Sequence, residues 1–519
     1  MNANLSTLAL TAILFATSSA QIPGSFDDDF DADGRVTVDF TANADEANCI
    51  VPFPDGNILV GGNAGANNMA LVMLHPDGSL NNSFGTNGKV TLSVGTAGDE
   101  ITSLALKPDG KILAAGDFNF DLVTLQFNDD GSLDSTFSFD GMVVTDINAE
   151  DYSSKILLQP DGKILHVGFS AGGIAGPYDV TIVRLNSDGT LDTGFDQDGK
   201  LVHTPLIYWG TGYEADAVLQ PDGKIVVVGT YYFNNDNDIA LTRILPDGTP
   251  DSTFGIASVS YYPSNTDDYG RALALLPSGK FLTAGETING TQPEDIIVAR
   301  FKNDGYPDTS FGTQGLVIID IDNGRFDFCN DIMVQPDNKI LLAGYTKDDE
   351  LSFDSDMLLI RLHEDGSLDS TFGTNGIVKV SFGNERNQFK EIALQPDGKI
   401  VTSGFTRTGT NTIFAVSRFH SGVNVGIEEA SSGALHAIIY PNPFTDQLKL
   451  EFTLPEDSPA RLEIFSITGQ RLATLFDGDV RAGDVMNMDY SPATTCDCMV
   501  IYRLQIEQGT YYGKGVMVK

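Results

Sequence analysis

A three-residue refrain, returning at near-regular intervals, constrains this chain more than any other feature. Pro54-Asp55-Gly56 recurs as Pro108-Asp109-Gly110, Pro160-Asp161-Gly162, Pro221-Asp222-Gly223, Pro277-Ser278-Gly279, Pro336-Asp337-Asn338 and Pro396-Asp397-Gly398. The spacings are 54, 52, 61, 56, 59 and 60 residues. A period of that size belongs to solenoids, propellers and arrays.

Each unit shares one internal grammar. An alternating stretch such as Ile101-Thr102-Ser103-Leu104-Ala105-Leu106 leads into the refrain, and period-two alternation predicts a strand. Pro presets φ for a tight turn that Asp and Gly complete. A second apolar stretch follows at once, so the pair reads as a β-hairpin. Eight residues after every Pro stands a Gly: Gly62, Gly116, Gly168, Gly229, Gly285, Gly344 and Gly404. That recurrence implies a backbone demand, either positive φ or the close approach of a neighbour. A third strand, a second turn and a short fourth strand complete the unit. In that turn a Phe follows Gly by six residues in each copy: Phe84, Phe137, Phe195, Phe254, Phe311 and Phe372. The Phe is expected to plug the space between adjacent units. Four strands per unit match a propeller blade.

The chain ends indicate closure. Gly24 and Phe30 repeat the six-residue spacing, and Gly34-Arg35-Val36-Thr37-Val38 supplies a fourth-strand segment. The seventh unit reaches Gly422 and lacks that half. The N-terminal piece therefore fits the gap, which leaves no exposed sheet edge. The expectation is an all-β chain: a seven-bladed β-propeller over residues 21–422, closed by an N-terminal strand, followed by a small C-terminal β-sandwich.

The units resemble the delta-60 repeat of bacterial secreted proteins, a propeller family without a firmly assigned activity. The pattern covers all seven units, with departures at Ser278, Asn338, Pro250 and Pro307. Residues 423–434 read as a linker. Beyond it, Leu448-Lys449-Leu450-Glu451-Phe452, Arg461-Leu462-Glu463-Ile464-Phe465 and Val500-Ile501-Tyr502-Arg503-Leu504 alternate like strands. Residues 435–519 resemble the type IX secretion sorting domain of Bacteroidetes-type bacteria, on Tyr440-Pro441-Asn442-Pro443, on the segment ending Gly469-Gln470, and on the terminal segment with Gly513, Gly515 and Lys519. That resemblance implies export, engagement of the type IX machinery through this domain, and release or attachment at the outer-membrane surface. Residues 1–20 fit a signal peptide, with an apolar run from Leu8 to Ala16 and small residues before Gln21. The run is too short to span a bilayer, so no transmembrane segment is expected in the mature chain.

Charge narrows the partners. With 31 basic and 71 acidic residues the net charge is −40, which repels nucleic acid and anionic membranes. Four cysteines are too few for a disulfide framework and are read as structural.

Aligning the repeats yields the best site candidate. Nine residues before each Pro lie Asp45, Asp99, Asp151, Gly212, Asp268, Asp327 and Asn387, with Glu46, Glu100 and Glu214 close by. A propeller places the start of its first strand near the axis. The functional reading is a carboxylate ring at one mouth, able to hold Ca²⁺ or a cationic ligand. The alternative is that each Asp bonds the backbone amides of its own turn. Asp29, Asp31 and Asp33 begin like an EF-hand loop, but Phe40 stands where the bidentate Glu belongs. Tyr152, Tyr213, Tyr269 and Phe328 offer either sugar-stacking faces or packing, and Trp209, the single Trp, lies in an inter-repeat insertion. No G-x-S-x-G, H-E-x-x-H or P-loop occurs. The leading expectation is a non-enzymatic secreted or surface binding module for a glycan, protein or cation, with no certain cofactor. The alternatives are a secreted polysaccharide-active hydrolase or lyase, and a structural surface component.

Overall fold

The computed structural model describes residues 22–40, 44–65, 68–93, 98–171, 178–203, 216–233, 236–255, 259–261, 266–288, 293–322, 324–349, 354–383, 386–422, 436–440, 447–454, 456–466, 471–492, 498–506 and 509–517. The described residues are all-β, with no helix. None is therefore part of a helix long and apolar enough to cross a membrane.

Up to Phe419 the strands form four-stranded antiparallel sheets in chain order. The second sheet is typical: Glu100–Leu106, Ile112–Phe118, Asp121–Phe127 and Met142–Thr145. The seventh combines Asn387–Leu394, Ile400–Thr408 and Asn411–Phe419 with Arg35–Val38 from the other end of the chain. Arg35 pairs with Ser417 and Val38 with Phe414. The first strand of each sheet packs against the first strand of the next, and Asn387–Leu394 packs against Asp45–Pro52 of the first sheet. These first strands are thus the innermost. Together they give the architecture of a β-propeller.

The cores lie between sheets. Val36, Val38, Ile50, Ile58, Val401 and Phe414 form one cluster where the seventh sheet, the N-terminal strand and the first sheet meet. The recurrent Phe residues are buried plugs, as expected: Phe84, Phe137, Phe195, Phe254, Phe311 and Phe372 are at most 1% exposed. An arginine lies over several of them, with Arg243 4.4 Å from the Phe254 ring centre and Arg300 4.7 Å from that of Phe311. Each such arginine also grips an Asp in its own turn and a carbonyl of the next sheet. Arg300 Nε donates to Asp308 at 2.8 Å and its Nη1 to the Glu364 carbonyl at 2.7 Å. Between the seventh sheet and the N-terminal segment, Arg418 uses the same grip on Asp27, at 2.6 Å, and on the Pro76 carbonyl of the first sheet.

The repeated Gly is explained by close approach, not by positive φ. A Cβ on Gly62, Gly285, Gly344 or Gly404 would stand 1.9 Å from the carbonyl oxygen of Glu46, Tyr269, Phe328 or Gln388 respectively. Each of those carbonyls lies eight residues before the refrain Pro, on the facing first strand. The refrain Gly has the other need: Gly110 sits at φ 84° with nothing near its missing Cβ.

Beyond the repeats lie two further sheets. His436–Tyr440, Leu448–Thr453 and Val485–Tyr490 form one, and Arg471–Val480, Ser458–Ser466, Cys498–Ile506 and Gly509–Met517 the other. Leu450 and Phe452 from the first meet Leu462, Ile464 and Leu504 from the second in a shared core.

Candidate functional site

The innermost strands are not regular. In six sheets the register slips by one residue, at Asn48, Thr102, Ser154, Arg271, Asn330 and Lys390. Each lies six residues before the refrain Pro. A β-bulge adds a residue to one strand, interrupts the ladder and re-aims side chains.

The residue five before the refrain Pro, which follows the bulge in the six sheets that have one, connects one sheet to the next. Ser103 Oγ accepts from Ile156 N at 3.2 Å, Asp216 Oδ2 from Leu273 N at 2.9 Å, and Asp331 Oδ2 from Ile392 N at 2.8 Å. Glu391 Oε2 accepts from Ile50 N at 2.6 Å, joining the seventh sheet to the first. Buried amides left without a ladder partner need such acceptors.

In the third sheet Lys155 occupies this register. Its Nζ lies 3.1 Å from Glu391 Oε1 and 3.5 Å from Asp216 Oδ1. Lys155 and Glu391 stand on non-neighbouring sheets, so the pair spans the centre. Burial alone would lower the Lys155 pKa; Asp216, Glu391 and Asp331 raise it well above the usual value. Burial pushes the Asp331 carboxyl up to about 8, helped by Glu391 and Asp216 and opposed by Lys155. Yet 27% of the Lys155 side chain is accessible, so the centre is wetted rather than sealed.

A second polar group lies around the same axis. Asn48 Nδ2 donates to Glu100 Oε2 at 2.8 Å and to the Ile101 carbonyl at 3.2 Å. Burial raises the Glu100 pKa, and Asn48 opposes the shift. Arg271 forms a two-pronged pair with Glu286. Burial lowers the Lys390 pKa against the pull of Glu46 and Glu100. The innermost surface therefore offers donors and acceptors of both charges.

The acids aligned nine residues before each Pro lie elsewhere. Asp45, Asp99, Asp151, Asp268, Asp327 and Asn387 are at most 1% exposed. Asp45 accepts from Phe40 N at 2.8 Å and Gly65 N at 2.9 Å, Asp99 from Asn119 N at 3.2 Å, and Asp268 from the Thr266 hydroxyl at 3.0 Å. Asp151 accepts from Ile147 N and Asp327 from Ile321 N, both at 2.7 Å. Asn387 accepts from Phe382 N at 3.3 Å. Most of these donors lie in the loop that arrives from the preceding sheet. Among the described residues, the acid triads with oxygens close enough to share an ion are Asp121–Asp146–Asp151 and Asp295–Asp320–Asp327. Asp151 and Asp327 therefore meet acids of the preceding sheet. Glu46 faces Arg386 at 3.8 Å. Asp29, Asp31 and Asp33 are exposed, and Asp33 pairs with Arg35 at 2.8 Å.

Tyr152 packs edge-on against Tyr178, Phe328 stacks on Tyr345 at 4.6 Å, and Asn237 Nδ2 donates to the Tyr269 hydroxyl at 3.2 Å. Trp209, Gly212, Tyr213 and Glu214 lie outside the described residues. Of the sorting-motif residues, Tyr440, Gly513 and Gly515 lie in strands, whereas Pro441, Asn442, Pro443, Gly469 and Lys519 lie outside the described residues. Among the described residues one Ser–His pair is seen: His166 Nε2 lies 2.8 Å from Ser153 Oγ. Its Nδ1 closes on Thr124 Oγ1 at 2.9 Å rather than on a carboxylate, and burial drops its pKa to about 3. That neutral imidazole is a packing link, not an activated base.

Of the charges at the centre, the sequence reading named Glu46 and Glu100 but missed Lys155, Asp216, Asp331 and Glu391. Aligned five residues before the Pro stand Cys49, Ser103, Lys155, Asp216, Ala272, Asp331 and Glu391. Their change from unit to unit, at a position where a core residue would be uniform, was the available signal.

Six segments of the chain, 54–84, 107–137, 159–195, 220–254, 276–311 and 335–372, match the model of a family described as "Domain of unknown function (DUF5122) beta-propeller". No curated protein matches. Similar solved structures include a catalytically inactive virginiamycin B lyase from Staphylococcus aureus with quinupristin, at 11% identity and TM-score 0.42, covering 74% of this chain and 98% of that one. The polysaccharide lyase Uly1 is similar at 10% identity and TM-score 0.43, over 73% and 90% of the two chains. A protein from Lactobacillus plantarum is similar at 12% identity and TM-score 0.40, over 84% and 99%. Likeness at this level carries no activity across. Those six segments carry the repeat of a β-propeller family, in keeping with the four-stranded sheets described above.

Proposed function

We propose that the chain is a secreted or surface-displayed binding module. In this reading residues 21–422 form a seven-bladed closed propeller, and residues 435–519 form a small β-sandwich that addresses the chain to a type IX-like export route. The ligand is a glycan held at the axis. The Lys155–Glu391 pair across a wetted centre carries the proposal. Around it, Asn48, Arg271 and Lys390 supply donors and Glu46, Glu100 and Asp216 supply acceptors. A hydroxyl-rich ligand both donates and accepts, so it suits such a mixed surface better than an ion of one sign does.

One observation favours a second reading, a polysaccharide hydrolase or lyase. Burial raises the pKa of the Asp331 carboxyl, which favours the protonated form that a general acid needs. A glycan array paired with a reducing-sugar release assay separates the two. Binding without turnover, lost in Lys155→Met, supports the binding module. Turnover lost in Asp331→Asn supports the enzyme. Neither binding nor turnover would defeat both and favour a structural surface component.

A further inference from the structure

The two acid triads occupy the same places in the repeat. In each, one oxygen per residue lies within 4.8 Å of the others. The first member opens a third strand, as Asp121 opens Asp121–Phe127 and Asp295 opens Asp295–Phe301. The second follows a fourth strand, as Asp146 follows Met142–Thr145 and Asp320 follows Leu316–Ile319. The third, Asp151 or Asp327, stands nine residues before the next Pro.

Their third members differ. Asp151 satisfies both oxygens with loop amides: Oδ2 accepts from Ile147 N at 2.7 Å and Oδ1 from Asn148 N at 3.2 Å. Asp327 Oδ2 accepts from Ile321 N in the same way, but its Oδ1 is buried and completes no hydrogen bond. Thr346 faces Asp327 across the strand pair, and its hydroxyl, which accepts from Arg325 Nε at 3.1 Å, hydrogen-bonds the Asp327 side chain. Arg325 itself is drawn away to Asp348 at 2.8 Å and Asp356 at 3.7 Å. The Asp327 residue is fully enclosed, so water cannot serve that oxygen from bulk. Close by, Glu294 Oε2 is also buried without a partner, and the Glu294 carbonyl accepts from Asp327 N at 2.8 Å. Burial raises the Asp295 pKa, with Asp320 and Asp327 adding to the shift. A buried carboxylate oxygen without a donor, beside two more carboxyls, is costly unless a cation completes it.

We propose that Asp295, Asp320 and Asp327 bind one Ca²⁺ between the fifth and sixth sheets, and that the satisfied triad of Asp121, Asp146 and Asp151 does not. Oxygen-only ligands suit a hard cation, and Ca²⁺ tolerates irregular geometry completed by carbonyls and water. This site is separate from the axial one and does not depend on how that one is read.

The test is calorimetric titration of CaCl₂ into the EDTA-treated full chain, beside Asp320→Asn and Asp146→Asn. Asp320 and Asp146 are both exposed, so both variants should fold. The expected result is one site with Kd on the order of 10⁻⁴ M. Asp320→Asn should weaken it by about tenfold or more, and Asp146→Asn should leave it within about twofold. No heat and no rise in Tm at millimolar Ca²⁺ would overturn the proposal. So would equal losses in both variants, or a loss confined to Asp146→Asn.

Discussion

Glu391 joins three sheets through one side chain: its Oε2 accepts from Ile50 N of the first sheet at 2.6 Å, and its Oε1 lies 3.1 Å from Lys155 of the third. Glu391→Ala strips the Ile50 amide and the Lys155 ammonium of their partner together. The expected loss is about 2–3 kcal/mol, moderated because Lys155 retains contact with water. Glu391→Gln keeps an acceptor and should lose less. Urea denaturation of the three proteins decides this; an unchanged midpoint in the Ala variant would refute it.

Asp331 makes stability fall as pH rises. In the folded chain its carboxyl holds a proton up to about 8, whereas an unfolded Asp releases it near about 3.9. Between those values the native state binds the extra proton, so its contribution is complete below the lower value and gone above the upper. The slope from this one group cannot exceed about 1.4 kcal/mol per pH unit. Asp331→Asn should flatten the fall between about pH 5 and 8. Parallel stability–pH curves for the two proteins would count against the assignment.

The recurrent Gly makes a sharp steric prediction. Gly285→Ala would drive a Cβ to 1.9 Å from the Tyr269 carbonyl oxygen, and the Gly285 backbone is itself held between strands on both sides. A loss of about 3 kcal/mol is expected, at the upper end for overpacking. Gly478→Ala is the control, because there the nearest heavy atom is 3.5 Å away. It should be neutral or slightly stabilising. Similar midpoint shifts for the two would sink the close-approach explanation.

Asp27 ties the N-terminal segment to the seventh sheet. It faces Arg418 at 2.6 Å and Lys399 at 2.7 Å, and the Arg418 side chain is only 3% exposed. Asp27→Ala leaves that guanidinium buried without its carboxylate, a loss of about 3–5 kcal/mol. Limited proteolysis should then release the N-terminal segment first. Cleavage elsewhere at unchanged rate would argue against its closing role.

Much of the fold was legible because hairpin chemistry is local. Pro-Asp-Gly announces its turn, and the Gly-to-Phe ruler located both the plugs and the half unit carried by residues 24–38. The bulges were not legible. Ile101-Thr102-Ser103-Leu104 alternates acceptably as an unbroken strand, and a one-residue slip leaves no local mark. The aligned Asp residues were found by position, but their partners in the preceding sheet were not, since Asp295 and Asp327 meet only through folding. The Lys155–Glu391 pair joins residues 236 positions apart, beyond the reach of any pattern read along the chain.

Pairing Arg35–Val38 with Asn411–Phe419 also sets a timetable. The contact spans nearly the whole repeat region, and contacts of such long sequence separation slow folding. Until residue 419 has been made, the N-terminal strand has no edge to join and the first sheet lacks its neighbour. Six sheets can form one by one during synthesis, but the last step waits for both ends. Any fragment ending earlier stays open along two unpaired edges, the kind of surface by which one copy captures another.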